Sequence, residues 1–166
     1  MFSKSWFAIY TKSRNEKKVH AELLRQGIES YLPLLKILKQ WSDRKKWVEE
    51  PLFRSYVFVH IEEIEYLNVL KTPGVVRFIT FESQAVPIPQ RQIDAIRYFI
   101  DSGEEHVDPG IILTPGQRVE ITRGPLRGIA GQMTEVKGKH KVRIDIEALG
   151  QAIHITVPVS NLRVIG

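Results

Sequence analysis

The sequence predicts an α+β fold in two parts: an antiparallel sheet flanked by helices, then a small SH3-like β-barrel. Residues 1–103 alternate short apolar runs with helical patterns in the order β-α-β-β-α-β-α. Residues 103–116 hold three Gly and two Pro without periodicity. Five short β-branched runs follow, which is typical of a small barrel. We therefore expect domains over 1–103 and 117–166, joined by a linker over 104–116.

Composition restricts the class of protein. The chain has 166 residues, of which 43% are hydrophobic and 26% charged, as in ordinary globular proteins. It contains no Cys, which excludes disulfides and thiolate metal sites. No apolar run approaches the roughly 18 residues that a membrane span needs, and the N-terminal apolar run is too short for a signal peptide. We expect a cytoplasmic protein with no membrane partner.

The first strand and helix are predicted within residues 6–27. WFAIYT (6–11) has the composition of a strand. Ser13 is predicted to cap the following helix, because Glu16 three residues later completes a capping-box pattern. Gly27 suits the left-handed residue after a helix, so the helix is expected to end at Gln26.

A charged hairpin is predicted over residues 30–50. Its arms meet at SDRK (42–45), and Lys39 and the cations at 44–46 lie close to Trp41 and Trp47 in the sequence. A basic tip with exposed tryptophans would suit phosphate contact and base stacking. It would equally suit a solvated loop whose charges keep it soluble.

Residues 51–61, PLFRSYVFVHI, are predicted to form a strand with two apolar faces. Alternation places Phe53, Val57, Val59 and Ile61 on one face, which suits a core. Tyr56 and Phe58 lie on the opposite face. Two large aromatics on the second face of a sheet indicate a surface that something else covers.

The rest of the N-terminal part continues the α+β pattern. A short helix is predicted over 62–71, ending at Pro73-Gly74, followed by a strand over 75–81. Residues 86–89 are expected to be extended and 90–102 to form an amphipathic helix. On the strand at 75–81, Phe78 is predicted to face away from Val75, Ile79 and Phe81.

Charge and motifs favour binding over catalysis. Residues 1–54 hold twelve Lys or Arg against six Asp or Glu, an excess that suits an anionic partner or a solvated surface. The five His lack metal-ligand spacing, and RGPLRG (123–128) lacks the G-K-[ST] end of a phosphate loop. The glycines of that segment are expected to form a tight turn. We expect no catalytic site, cofactor or metal.

Several segments in order along the chain resemble the NusG transcription elongation factors, especially their specialised paralogues of the RfaH and UpxY type. WFAIYTKSRNEKKV resembles the opening strand and helix of that family, and EPLFRSYVFVHI is similar to its PLFPGYLFV strand. TPGVVRFITF is similar to a GVxxFV strand, and RVEITRGPLRGIAGQMTEV resembles a KOW motif. Two departures stand out. Arg54-Ser55 replaces Pro-Gly or Pro-Asn, and the segment before Pro73 lacks the His-Thr-Thr element of RfaH.

The resemblance implies a NusG N-terminal (NGN) domain and a C-terminal KOW barrel. It implies that the first domain binds the clamp helices of the largest RNA polymerase subunit through an aromatic patch: Tyr10, Tyr56, Phe58 and Phe78. It also implies that four basic residues face the non-template DNA: Lys12, Arg14, Lys17 and Lys18. The KOW domain of such proteins recruits a small-subunit ribosomal protein or Rho. A monomer is expected.

The expected function is therefore that of an operon-specific antitermination and elongation factor that suppresses pausing and termination. Two alternatives remain open: a housekeeping NusG factor, or an RNA-binding or ribosome-associated KOW protein. Independently of the resemblance, the residues indicate aromatics on three strands of one sheet face, which a partner or another part of the chain would cover. The Gly-punctuated, β-branched barrel predicts a stable β form without a helical alternative.

Overall fold

The computed structural model describes residues 3–102, 116–136 and 139–165. Backbone contacts divide the chain into two compact units, Met1–Pro89 and Gln90–Gly166. The predicted α+β class is confirmed: one unit combines helices with an antiparallel sheet, and the other contains a second antiparallel sheet. The domain boundaries remain a prediction, and the linker expected at 104–116 lies outside the described residues except for Gly116.

The elements have the following bounds. Those of the first unit are β1 (Ser5–Thr11), α1 (Glu16–Arg25), β2 (Glu29–Tyr31), β3 (Leu34–Gln40), β4 (Lys45–Pro51), β5 (Tyr56–Ile61), α2 (Tyr66–Leu70), β6 (Val75–Phe78), β7 (Thr80–Phe81) and β8 (Gln84–Ala85). Those of the second are α3 (Gln90–Asp101), β9 (Arg118–Ile121), β10 (Ala130–Val136), β11 (Lys139–Ile146), β12 (Gln151–Ile155) and β13 (Leu162–Val164).

The central sheet of the first unit has the strand order β2-β5-β1-β6, with all pairs antiparallel. Alternate residues of β1 and β5 supply one face of the core, because strand side chains point to opposite faces in turn. The two helices add their apolar residues to this cluster. Its main members are Phe7, Ile9, Val19, Leu23, Val57, Val59, Ile61, Val69 and Phe78.

Helix α1 begins later than predicted. Asn15 occupies the N-cap position and makes no side-chain cap hydrogen bond. The prediction that Ser13 caps the helix in a capping box with Glu16 is therefore wrong. Arg14 adopts a left-handed turn (φ +63°), which separates Ser13 from the helix. The carboxylate of Glu16, only 6% exposed, instead accepts a hydrogen bond from the backbone N–H of Ser55 at 3.2 Å. The left-handed Gly27 is confirmed, with φ +78°.

Strand β5 also begins later than predicted, since Pro51 ends β4 and residues 52–55 form a turn. Ser55 adopts φ +66°, the left-handed region that favours glycine. Ser55 thus holds, with a side chain, a backbone conformation that glycine adopts without steric cost. Because the turn interrupts the alternation, Phe53 packs edge-on against Phe58 (6.0 Å) instead of joining Val57 in the core cluster.

The strand predicted over 75–81 is divided in two. β6 pairs with β1, whereas β7 pairs with β8 in a separate hairpin. The hairpin turn consists of Glu82 and Ser83, whose φ values of +51° and +64° are those of a type I′ turn. The hairpin predicted over 30–50 is present as the two-stranded sheet β3–β4, paired from Leu34–Pro51 to Gln40–Lys45.

The second unit contains an antiparallel sheet in the order β12-β11-β10-β9-β13. Its buried residues are mostly β-branched, and α3 packs against β11 and β12. The five predicted strands are thus present, and the turn at 123–128 has Gly124 and Gly128 at positive φ. In the part of the chain that the structure describes, β12 and β13 do not pair with each other. No helix within that part is long and apolar enough to cross a membrane.

Candidate functional site

The face of the central sheet opposite the core cluster is built from three rows of side chains that cross the strands. Residues that pair directly across antiparallel strands share a face, so the register defines each row. The rows are Tyr56–Tyr10–Arg77, Tyr31–Phe58–Ala8 and Glu29–His60–Trp6. The sequence therefore places aromatics on this face in all three rows.

The first row, here called the tyrosine row, consists of Tyr10, Tyr56 and Arg77. The two tyrosine rings meet edge to face, with centroids 5.7 Å apart and planes at 68°. The guanidinium of Arg77 lies 5.4 Å from the centroid of the Tyr10 ring, a cation–π arrangement. Both tyrosines are half-buried and Arg77 is exposed. This row thus presents aromatic surface next to a positive charge.

The second row lies beneath the surface at its centre. Phe58 lies on the predicted face, but its exposed fraction is 0%. Phe53 packs edge-on against it, and Tyr31 lies at 6.4 Å between ring centroids. Because Phe58 has no exposed surface, it supports the neighbouring side chains of this face in the described conformation.

Phe78 does not share the face of the tyrosine row, so the prediction that β6 contributes it there is wrong. It pairs with Ile9, packs edge-on against Phe7 (6.1 Å) and stacks on Tyr66 (4.3 Å) in the core cluster. Its exposed fraction is 1%. The register of β6 against β1 brings Arg77, rather than Phe78, beside Tyr10.

The third row combines an aromatic stack with charges. Trp6 is 3% exposed and stacks on His60, with ring centroids 4.7 Å apart and planes at 8°. His60 Nδ1 lies 3.0 Å from a Glu29 oxygen, and Lys4 Nζ lies 3.4 Å from the same carboxylate. Burial raises the pKa of Glu29, but the hydrogen bonds and charges of His60 and Lys4 outweigh it, so this pKa is lowered.

The four predicted nucleic-acid-binding residues lie between the end of β1 and the first turns of α1. Lys12, Arg14 and Lys18 are exposed, and none has an ion pair or side-chain hydrogen bond within the described ranges. Lys17 differs, because its Nζ donates to the backbone carbonyl of Glu49 at 2.8 Å and so connects α1 to β4. Three cations are therefore available to an anionic partner, close in sequence to Tyr10.

Sequence reasoning missed two residues of this face, Tyr31 and Arg77. Tyr31 was missed because β2 has only three residues and lay within the segment predicted as the hairpin. Arg77 was missed because alternation groups it with Val75 and Ile79, which were predicted to face away from Phe78. The Ile9–Phe78 pairing, once known, would have assigned both residues correctly.

The chain is similar to one protein family over most of its length. The family model described as "Transcription termination factor nusG" matches residues 4–97. The "Transcription termination/antitermination protein NusG" of Neisseria meningitidis serogroup B is 26% identical over 173 residues, covering 96% of this chain and 97% of the relative. The protein of the same name from Pseudomonas aeruginosa is 27% identical, with coverages of 96% and 98%.

A solved structure supports the fold. The structure titled "Domain interaction in Thermotoga maritima NusG" matches with a TM-score of 0.57 and 24% identity, covering 99% of this chain and 98% of that one. Similarity at this level of identity concerns the fold alone.

Proposed function

The chain belongs to the NusG family of transcription termination factors, and we propose that it binds RNA polymerase through the tyrosine row and acts on the elongating enzyme. It is a termination/antitermination factor of that family. The proposed contact is with the clamp helices of the largest polymerase subunit. The proposed effect is to hold the clamp closed and so to suppress pausing and termination.

The observation that carries this proposal is the tyrosine row itself. Tyrosine and arginine are enriched at protein interfaces, and tyrosine presents a large apolar ring together with a hydroxyl. Tyr10 and Tyr56 are held edge to face on paired strands, so little rotamer entropy remains to be lost on binding. A rigid, half-exposed aromatic pair beside a cation suits a helical partner with both apolar and acidic residues.

Phe58 and Phe78 have different roles in this proposal. Phe58 lies beneath the same face and supports it, because it is fully buried against Phe53. Phe78 belongs to the core cluster on the other side of the sheet. The polymerase contact is therefore assigned to Tyr10 and Tyr56, with Arg77 at its edge.

We further propose that Lys12, Arg14 and Lys18 contact the non-template DNA of the elongation complex. These cations are exposed and follow Tyr10 closely, so a protein docked through the tyrosine row would bring them near the same partner surface. Lys17 contributes less, because it is already bound to the Glu49 carbonyl. Contacts with both polymerase and DNA would restrict opening of the clamp.

The finer assignments rest on the family resemblance. We propose a cytoplasmic, non-enzymatic, monomeric factor specific to particular operons, with the housekeeping role as the alternative. The KOW-like segment within 117–166 is proposed to recruit a small-subunit ribosomal protein or Rho.

A binding experiment with the full-length chain tests the polymerase contact. We expect Tyr10→Ala with Tyr56→Ala to weaken binding to core RNA polymerase by about 30-fold or more, since central interface aromatics typically contribute about 2 kcal/mol or more. Phe81→Ala is the matched control, because Phe81 is a 71% exposed aromatic outside this face. Failure of the intact chain to bind, or full binding by the double variant, would contradict the proposal.

The same binding experiment, repeated with an assembled elongation complex, distinguishes the DNA contact from the polymerase contact. Replacing Lys12, Arg14 and Lys18 with glutamine should weaken binding to this complex at low salt and leave binding to core polymerase unchanged. The difference should shrink as salt rises, because phosphate contacts release counterions. Lys71→Gln, which removes an exposed charge elsewhere, is the control. Unchanged affinity of the triple variant at low salt would exclude the DNA contact.

A further inference from the structure

The tip of the β3–β4 hairpin is the most strongly basic feature that the proposed function does not use. Residues 36–46 hold five cations against one anion. The two strands pair up to Gln40–Lys45, and the backbone N–H of Trp41 donates to the carbonyl of Arg44 at 2.8 Å. The tip is therefore an ordered tight turn whose side chains have defined directions.

The hairpin has two faces with different chemistry. Lys39 pairs with Lys46, and Trp41 and Arg44 face each other two positions further along. These four residues therefore share one face, which we call the Trp41 face. Leu38 and Trp47 pair with each other on the opposite face. The opposite face also carries Lys36, which pairs with Glu49, and Lys45, which pairs with Gln40. Each face thus carries one tryptophan, with three cations on the Trp41 face and two on the other.

Trp41 is a stacking surface already in contact with a cation. Its side chain is 43% exposed, and the Arg44 guanidinium lies 5.7 Å from the ring centroid. The exposed part of the ring is flat apolar surface on which a partner can stack. Stacking of a flat apolar group on the ring would remove that surface from water while leaving Arg44 in place.

The charges of this face are incompletely balanced. Lys39 and Lys46 stand directly opposite each other, and like charges in that arrangement are destabilising. Glu50 forms an ion pair with Lys39, which lowers the pKa of that carboxylate. Within the described ranges Lys46 has no ion pair or side-chain hydrogen bond. An anionic ligand at this face would relieve the repulsion.

We propose that the Trp41 face binds single-stranded nucleic acid, with a base stacked on Trp41 and phosphates contacted by Lys39, Arg44 and Lys46. Aromatic rings interleaved with cations are the arrangement by which proteins hold unpaired strands without sequence preference. A duplex would satisfy the cations but not the indole, because its bases are stacked on one another. The contact goes beyond the proposed function, since it requires no polymerase.

Tryptophan fluorescence can report ligand binding at Trp41 alone. The chain has three tryptophans, and Trp6 is buried against His60. In a Trp47→Phe variant of the full chain, Trp41 is therefore the exposed indole. Titration with 12-nucleotide single-stranded DNA and RNA should quench its emission to saturation, whereas the corresponding duplexes should quench little. Preferential quenching by the DNA or by the RNA identifies which unpaired strand the face takes.

Affinity measurements on labelled oligonucleotides complete the test. Trp41→Ala is expected to weaken single-strand binding about tenfold, and Trp47→Ala, on the opposite face, should leave it unchanged. Lys46→Gln should weaken binding and reduce its dependence on salt. Equal losses from Trp41→Ala and Trp47→Ala, equal binding of duplex and single strands, or no saturable binding would each overturn the proposal. Loss of polymerase binding in Trp41→Ala without oligonucleotide binding would assign the face to a protein partner instead.

Discussion

Replacing Phe78 with alanine is expected to lower the free energy of unfolding by about 3–5 kcal/mol, the usual cost of removing a buried Phe side chain. Phe78 is 1% exposed, stacks on Tyr66 and packs edge-on against Phe7. The substitution leaves a cavity between the sheet and α2 that these rings cannot fill. Since domain stabilities are about 5–15 kcal/mol, this is a large fraction of the total. Denaturant unfolding of the full chain measures it.

Phe81→Ala is the matched control for this prediction. Phe81 is the same residue type three positions further on, but 71% of its side chain is exposed. Its replacement should change stability by about 0.5 kcal/mol or less. If Phe78→Ala instead left stability unchanged and abolished polymerase binding, Phe78 would belong to the docking surface after all, and the assignment of Arg77 to that face would be wrong.

Replacing Gly74 with alanine is expected to lower the free energy of unfolding by about 2–4 kcal/mol. Gly74 adopts φ +94°, a region that costs an L-residue about 1–2 kcal/mol. A Cβ at this position would also lie 2.8 Å from Cγ2 of Val19, a fully buried residue of α1, and overpacking of this kind costs about 1–3 kcal/mol. Thermal or denaturant unfolding measures the loss.

Gly27→Ala separates the two causes. Gly27 has a similar backbone conformation, φ +78°, but no atom lies within 4 Å of the added Cβ. This variant should therefore show the conformational cost alone, about 1 kcal/mol. Equal losses from the two substitutions would indicate that the contact between Gly74 and Val19 contributes nothing to stability.

The facing of side chains within single strands was predictable from the sequence. Alternation correctly placed Tyr56 and Phe58 together, and Val57, Val59 and Ile61 on the core side. Which residues of two different strands share a face could not be predicted from the sequence, because the register depends on pairing between distant residues. Phe78 lies 69 positions from Ile9 in the sequence, and its pairing is what moved it from the expected patch to the core.

Local sequence patterns also gave wrong predictions where a residue makes a contact with a distant part of the chain. Ser13 and Glu16 have the spacing of a capping box, but the Glu16 carboxylate binds the N–H of Ser55, 39 residues away. The same contact lies at the departure Arg54-Ser55, where Ser55 adopts a left-handed turn directly before β5 begins at Tyr56. The interruption also turned Phe53 toward Phe58, against the alternation predicted for an unbroken strand.

The position of the basic residues was only partly predictable. Sequence order alone placed Lys12, Arg14, Lys17 and Lys18 near one another, and three of them are exposed without ion pairs in the described part of the chain. The capture of Lys17 by a backbone carbonyl of β4 required the hairpin to pack beside α1. No pattern in the local sequence signals that contact.

We propose that the tyrosine row is the surface through which this chain acts on elongating polymerase. Single-round transcription through a pause site and an intrinsic terminator, with and without the protein, tests it most directly. We predict that the intact chain shortens the pause and increases read-through, and that Tyr10→Ala with Tyr56→Ala abolishes both effects while Phe81→Ala retains them. Unchanged pausing and termination with the intact chain, or full activity of the double variant, would contradict the account.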